Sequence, residues 1–176
     1  GRSSNYTDTA ARLLIEAGVR LREEGLMHRG LNYFEVLGNA FAAKQDLLLH
    51  AWTWLWRGRV YADLNDFQND LPCFWRALSL FQHIHVSSGF PEAQRQDALR
   101  GIAHTQHQVA YSCHEQDDFE HSLLYNYRAL ALREAGSIGR LVCSACICPS
   151  TSSRSCAETG LPSLETILTL ESSKMT

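Results

Sequence analysis

Residues 52–67 read WTWLWRGRVYADLNDF, and three of the chain's four tryptophans stand here at alternate positions. Alternating large apolar side chains are typical of a half-buried strand, because successive strand residues point to opposite faces. The flanks favour a helix instead, since no Gly or Pro interrupts residues 44–51 and the first turn-like pair is Asn65-Asp66. A run of about 20 residues is too long for an ordinary strand. We therefore predict a helix on which Trp52 and Trp56 share a face and Trp54 points away from it.

The bulk composition excludes several classes of partner. The 176 residues carry a formal net charge of −3, and 45% of them are hydrophobic. This balance gives no reason to expect a nucleic acid or an anionic membrane as partner. The sequence shows no apolar stretch of membrane-spanning length and no signal-peptide core, so we expect a cytoplasmic protein. Because the usual catalytic and phosphate-binding motifs are missing, we expect neither an enzyme nor a cofactor.

The composition changes abruptly at residue 137. All 17 aromatic residues and all eight histidines precede this position, whereas the last forty residues hold fourteen Ser or Thr and four of the six cysteines. The change predicts a tail over residues 137–176 that is either disordered or not native to the preceding domain. Cys73 and Cys113 lie in apolar-periodic segments, which favours small buried thiols at both positions.

Two segments of the first 136 residues repeat with an offset of 52 positions. DFQNDLPCFWRALSL at 66–80 and DFEHSLLYNYRALAL at 118–132 share Asp-Phe, a leucine and Arg-Ala-Leu-x-Leu. Repetition of a helical segment is the signature of helix pairs that stack on one another, because one such unit cannot bury its apolar face alone.

The repeated unit resembles the tetratricopeptide repeat, whose pattern begins W-x2-L-G-x2-Y. Arg57 stands where that pattern has Leu, and Asp70 stands where it has a small residue. Gly18 and Ala110 take the place of Gly58 in an earlier and a later unit, and we expect these small residues to let paired helices approach closely. The larger insert lies around HVSSGFPEAQRQDALRG. The residues that match the pattern are Trp54, Gly58, Tyr61, Phe74 and Ala77.

The resemblance implies an all-α fold, a tetratricopeptide-like right-handed solenoid of about three antiparallel helix pairs followed by an irregular C-terminal tail. The three units are expected at about residues 11–44, 51–88 and 91–136. Lengthened repeats of this kind are similar to the arrays found in bacterial signalling proteins. The resemblance therefore implies a scaffold or regulatory module that binds a protein or peptide and forms part of a larger signalling protein.

In this family the first helix of each repeat lines a concave groove that binds peptides. Carried over by position, the groove residues of the three units lie within an arc of about 80° on each helix. Removal of Trp52 is expected to weaken binding and leave the fold intact, whereas removal of Trp54 is expected to cost stability. The expected groove residues are Arg12, Arg22, Trp52, Leu55, Arg59, Asp63, His104, His107, Tyr111 and His114.

Two alternatives remain open at this stage. The first is a zinc-binding regulatory protein that uses either the histidine stripe at His104, His107 and His114 or the four tail cysteines. Three ligands along one straight helix wrap poorly around one ion, and no metal ligand is assigned. The second is a structural spacer that associates with itself through an exposed apolar end after Leu132.

Overall fold

The computed structural model describes the backbone of residues 2–135 and the side chains of residues 9–134. This part of the chain holds six helices and no strand, which confirms the all-α prediction for it, and WTWLW is helical. None of the six helices is both long and apolar enough to cross a membrane. The predicted tail lies outside the described residues. The helices are α1 (Arg2–Glu23), α2 (Met27–Ala43), α3 (Leu47–Asp63), α4 (Phe67–Val86), α5 (Glu92–Glu115) and α6 (Phe119–Ala135).

Four of the five connections between these helices share one backbone geometry. In each, a loop N–H donates to the carbonyl five residues earlier, at 2.8–3.0 Å, which is the bond that closes a Schellman motif. The residue before that donor has a positive φ, and this reversal turns the next helix back against the preceding one. The four positive-φ residues are Gly25 (77°), Gln45 (58°), Asn65 (55°) and Asp117 (61°).

The fifth connection, between α4 and α5, contains the predicted insert. The chain leaves helical geometry only from Ser87 to Pro91, and the remainder of the insert extends α5 at its N-terminal end. Pro91 suits a helix start because it has no N–H to leave unsatisfied. As a result α5 has 24 residues, whereas α3 has 17. The extension contains Asp97, which is part of the site described below.

The helices pack in chain order, and the odd-numbered helices also lie side by side. Each helix packs on its neighbour in sequence, and α3 contacts α1 and α5 as well. Within residues 2–135 the even-numbered helices make their extensive contacts only with helices adjacent in sequence. One side of this domain is therefore built from α1, α3 and α5.

Two glycines at the same position of the repeated unit set how closely the helices of the first two pairs approach. An added Cβ at Gly18 would lie 2.5 Å from Cζ of Phe34, and one at Gly58 would lie 2.6 Å from Cε1 of Phe74. Both rings are buried and both follow their glycine by sixteen residues. The expectation that small residues permit close pairing is borne out at these two positions. In the third pair Ala110 replaces the glycine, and the residue sixteen positions later is Asn126, not Phe.

The buried side chains form two clusters that meet at α3. One cluster lies between α3, α4 and α5, and the other between α1, α2 and α3. Trp52 packs against both clusters. Cys73 and Cys113 are both buried, as expected, and burial raises the pKa of the Cys73 thiol to about 11.

A carboxyl group is buried between α4 and α5. Asp70 has no exposed surface, and its Oδ2 accepts a hydrogen bond from Oγ of Ser112 at 2.6 Å. Its Oδ1 has no hydrogen-bond partner. Burial raises the pKa of Asp70, because a charged carboxylate loses its hydration there, while the Ser112 bond opposes the rise. Asp70 therefore joins the second helix pair to the third by a polar contact inside the core.

Candidate functional site

The side of the domain formed by α1, α3 and α5 carries a group of large aromatic and basic side chains. We name it the odd-helix face and define it by Trp52, Trp56, Arg59, His104 and Tyr111. On α3 its residues lie within an arc of about 60°. Trp52, Trp56, Arg59 and His104 are partly buried, and Tyr111 is 48% exposed.

Aromatic contacts join α3 to α5 across this face. The His104 ring meets the indoles of Trp52 and Trp56 edge to face, with both centroid distances at 6.2 Å. Trp52 in turn contacts the buried ring of Phe81, with 5.1 Å between the ring centroids. The Arg59 guanidinium lies over the Trp56 indole, 4.8 Å from its centroid. Such edge-to-face and cation–π contacts hold the rings in defined positions before any ligand arrives.

The electrostatics of the face keep His104 neutral. Burial lowers the pKa of His104 to about 4, and the positive charges of Arg59, His107 and Arg133 act in the same direction. A neutral imidazole between two indoles stacks without an unsolvated charge. Arg59 and Arg133 thus supply positive charge around an aromatic centre that is itself uncharged at neutral pH.

Ion pairs link α1 to its neighbours at both ends of the face. At one end, Arg22 of α1 binds the carboxylate of Asp63 on α3 through two nitrogens. At the other end, Arg12 of α1 lies 3.5 Å from Oδ2 of Asp97 on α5, and Arg100 donates to Oδ1 of the same carboxylate at 2.6 Å. The aromatic contacts between α3 and α5 lie between these two ends.

A cleft opens beside the Arg12–Asp97 pair. It has a volume of about 130 Å³ and is lined by residues of α1, α3 and α5. Its apolar wall is made by two buried side chains of the core cluster between α1, α2 and α3 and by the indole of Trp52. The lining residues are Arg12, Ile15, Leu49, Trp52 and Asp97.

The structure brings some of the predicted groove residues together and separates others. Trp52, Arg59, His104 and Tyr111 share the odd-helix face, and Arg12 lies at its cleft. Leu55 is wholly buried in the core, so its side chain is not accessible at this face. Trp56, which the sequence places on the same helix face as Trp52, is partly exposed and contacts the His104 ring.

The remaining predicted residues are already engaged within the domain. Arg22 and Asp63 bind each other, as described above. Nδ1 of His107 lies 3.1 Å from Oδ1 of Asn126 on α6, which directs this ring toward α6. His114 is exposed and contacts the Phe119 ring edge to face, with 5.4 Å between centroids. These side chains flank the odd-helix face and do not continue the aromatic contacts.

The structure changes the expectation for one of two neighbouring tryptophans, Trp52. Trp54 packs toward α4, where the Arg76 guanidinium lies 5.0 Å from its ring centroid, and its Nε1 donates to Nε2 of His50 at 2.8 Å. Trp52 packs on both core clusters as well as lining the cleft. We therefore expect loss of Trp52 to lower stability as well as binding, so that other residues make better tests of the face.

No group of three or more His, Cys, Asp or Glu side chains among the described residues is placed to hold a metal ion. His104 and His107 lie on one helix, but their rings meet different neighbours, the indoles of α3 and Asn126 of α6. The four tail cysteines of the zinc alternative lie outside the described residues.

Sequence reasoning missed Asp97 and Leu49, which complete the cleft. Asp97 falls in the insert, which has no counterpart in the other repeats, so the repeat frame assigns it no position. The sequence does contain a signal for the early start of α5. Pro91 is followed by a run of helix-forming residues, which indicates that this helix begins well before the part that matches the repeat. Leu49 is a buried leucine on a helix with apolar residues on most sides, so its sequence does not mark it as a cleft residue.

Comparison with known proteins identifies no relative. No family model, no curated protein and no solved structure matches the chain.

Proposed function

We propose that this domain is a tetratricopeptide-like right-handed solenoid that binds a peptide or protein segment along the odd-helix face. It acts as a scaffold or regulatory module and not as an enzyme. The contacts of α3 with both α1 and α5 support such an arrangement, since they leave one row of helices on one side of the domain.

The observation that carries the proposal is the aromatic contact between Trp52, Trp56 and His104, with Arg59 over Trp56. Trp, Tyr and Arg are the residue types that contribute most binding energy at protein interfaces. Here they are held by packing, so little conformational entropy remains to be lost when a ligand orders them. Tyr111 adds an exposed ring farther along α5 on the same side.

The size of the face indicates the length of the ligand. From Leu49 at the cleft to Asp63 at the Arg22 pair, α3 rises by about 21 Å at 1.5 Å per residue. An extended chain advances about 3.3 Å per residue, so roughly six residues span this distance. A short linear segment therefore matches the face better than a folded domain does.

The experiment is selection of binders from a displayed library of random dodecapeptides, followed by titration of synthetic copies of the selected peptides. Tyr111→Ala and Arg59→Ala are expected to weaken binding at least about ten-fold, as loss of hot-spot residues does. Both side chains lie outside the two core clusters, so the thermal unfolding midpoint should stay near that of the wild type.

Tyr127→Ala is the matched control, because Tyr127 lies on α6 and is 46% exposed, whereas Tyr111 is 48% exposed. It should leave peptide affinity unchanged. Failure to select any peptide would contradict the proposed function. Equal loss of affinity in the Tyr111 and Tyr127 variants would show that the ligand does not bind at the odd-helix face.

One observation favours a second candidate function, self-association through α6. Four large apolar side chains of α6 are 46–57% exposed and lie within an arc of about 80° on its surface. Light scattering at two protein concentrations tests it. A mass that rises with concentration and falls in Leu123→Glu supports self-association, and a constant monomer mass contradicts it. The four residues are Phe119, Leu123, Tyr127 and Leu130.

A further inference from the structure

The cleft at the end of the odd-helix face has the size of one large side chain. Its volume of about 130 Å³ is close to that of an apolar cavity of about 150 Å³ that accepts benzene. Ile15, Leu49 and Trp52 supply an apolar lining. A leucine-sized or phenyl-sized group would replace water against these surfaces, which is favourable in proportion to the apolar area covered.

The lining of the cleft is held in place before a ligand binds. Ile15 and Leu49 belong to the core cluster between α1, α2 and α3. The Trp52 indole is held by edge-to-face contacts with the rings of Phe81 and His104. An apolar anchor that enters the cleft therefore meets a formed surface and does not have to order it.

The rim of the cleft exposes a guanidinium group and buries the neighbouring carboxylate. The Asp97 carboxylate is buried to 7% exposure and is shared by two guanidinium groups, those of Arg12 and Arg100. The Arg12 side chain, in contrast, is 54% exposed, and its Nη2 lies 3.5 Å from Oδ2 of Asp97. A carboxylate approaching from solvent would therefore meet the exposed guanidinium of Arg12 and not the buried carboxylate of Asp97.

We propose that this cleft anchors one large apolar side chain of the ligand and that Arg12 pairs with an acidic residue next to that anchor. The proposal rests on the proposed function, since it names the kind of peptide that the odd-helix face accepts. The exposed guanidinium of Arg12 disfavours a ligand with a basic residue at that place, and the apolar lining disfavours a ligand without an apolar anchor.

The experiment uses the tightest of the selected dodecapeptides. Each of its residues is replaced by Ala, and each Asp or Glu is also replaced by its amide. One large apolar position is expected to lose at least about ten-fold in affinity on truncation, as a buried anchor does. Replacement of the neighbouring acid by its amide should lower the affinity for the wild-type protein about three- to five-fold, which is the range of a partly exposed ion pair.

The same peptides are then titrated against Arg12→Gln, Arg12→Lys and Arg20→Gln. Arg12→Gln should abolish the difference in affinity between the acid and amide peptides. Arg12→Lys should keep part of this difference because the positive charge remains. Arg20 is exposed on the same helix and does not line the cleft, so Arg20→Gln should preserve the full difference.

The outcomes separate this proposal from the proposed function. Suppose that peptides bind and that Tyr111→Ala weakens their binding. The cleft proposal is then wrong if no large apolar position of the peptide acts as an anchor, or if Arg12→Gln leaves the affinity difference between the acid and amide peptides unchanged. In either case the peptide-binding face stands. If no peptide binds, both are wrong. Unfolding midpoints of all three variants identify any loss of affinity that comes from misfolding.

Discussion

Replacement of Gly58 by Ala should destabilise this domain, although Ala is the better helix former. Gly58 lies within α3, where the ring of Phe74 on α4 packs directly against its Cα. An added Cβ would lie 2.6 Å from Cε1, 2.7 Å from Cδ1 and 3.1 Å from Cζ of that ring. Cβ atoms in proteins essentially never approach another atom within 3.0 Å, so the ring or the helix must move. Phe74 has no exposed surface, which leaves the ring no open space to enter.

The expected magnitude follows from two opposed terms. Overpacking of a well-packed core costs about 1–3 kcal/mol, and the contact with three atoms of a fully buried ring places Gly58 at the upper end of this range. Replacing Gly by Ala in a helix returns up to about 1 kcal/mol. The free energy of unfolding should therefore fall by about 2 kcal/mol.

Gly30→Ala is the matched control. Gly30 is also buried and helical, but the nearest atom to its added Cβ is Cγ2 of Val60 at 3.8 Å, an ordinary van der Waals distance. Only the propensity term remains, so Gly30→Ala should raise the free energy of unfolding by up to about 1 kcal/mol. The same chemical change is thus expected to have opposite signs at two positions.

The assay is urea unfolding followed by tryptophan fluorescence and far-ultraviolet circular dichroism. A second variant, Gly58→Ala combined with Phe74→Leu, removes the ring that the new methyl group meets. Its loss should be smaller than the sum of the two single losses, because the clash is absent. If Gly58→Ala is as stable as the wild type, or if both glycine variants change stability with the same sign, the packing argument is refuted.

Three further predictions concern backbone strain and buried titratable groups. Gln45→Gly should stabilise the domain by about 1 kcal/mol in urea unfolding, because Gln45 has φ of 58° and glycine adopts this conformation without penalty; Lys44→Gly, at a helical φ of −84°, should not. The folded pKa of His104, about 4, lies below its ordinary value of 6.5, so protonation opposes folding and stability is lost as pH falls from 6.5 toward 4. Between pH 7 and pH 5 this amounts to about 2 kcal/mol, which His104→Phe should remove and an unchanged pH profile would contradict. The pKa of Asp70 is raised by burial, so its ionisation costs stability increasingly as pH rises above 3.8; the stability of Asp70→Asn relative to wild type should rise with pH, and a pH-independent difference would contradict this.

The helical nature of α3 could be predicted because the evidence was local. A long run without Gly-Pro punctuation around WTWLW and the first turn-like pair at Asn65-Asp66 are properties of neighbouring residues. The close approach of paired helices at Gly58 and Gly18 could also be predicted, since a small residue recurs at this position of the repeat. Repetition within one chain makes a tertiary contact visible in the sequence.

The sequence of α3 alone could not predict which of its side chains are buried and which reach the odd-helix face. This helix packs on α2 and α4 and also contacts α1 and α5, so apolar side chains are needed on most of its circumference. Under these conditions hydrophobic periodicity does not distinguish Leu55, which is wholly buried, from Trp56, which reaches the odd-helix face. The cleft could not be predicted either, because the contact of Asp97 with Arg12 depends on the length of α5 and on the packing of three helices.

The most direct test of the peptide-binding face uses the four tryptophans of the chain as reporters. The indole N–H signals in a ¹H–¹⁵N spectrum, assigned by single Trp→Phe variants, are followed while the tightest selected dodecapeptide is added to saturation. Trp52 and Trp56 lie on the odd-helix face, whereas Trp54 packs toward Arg76 and Trp75 meets Tyr125 on the side formed by α4 and α6. We expect large shifts for Trp52 and Trp56 and small shifts for the other two. Large shifts confined to Trp54 and Trp75, or four unshifted signals at saturation, would contradict this expectation.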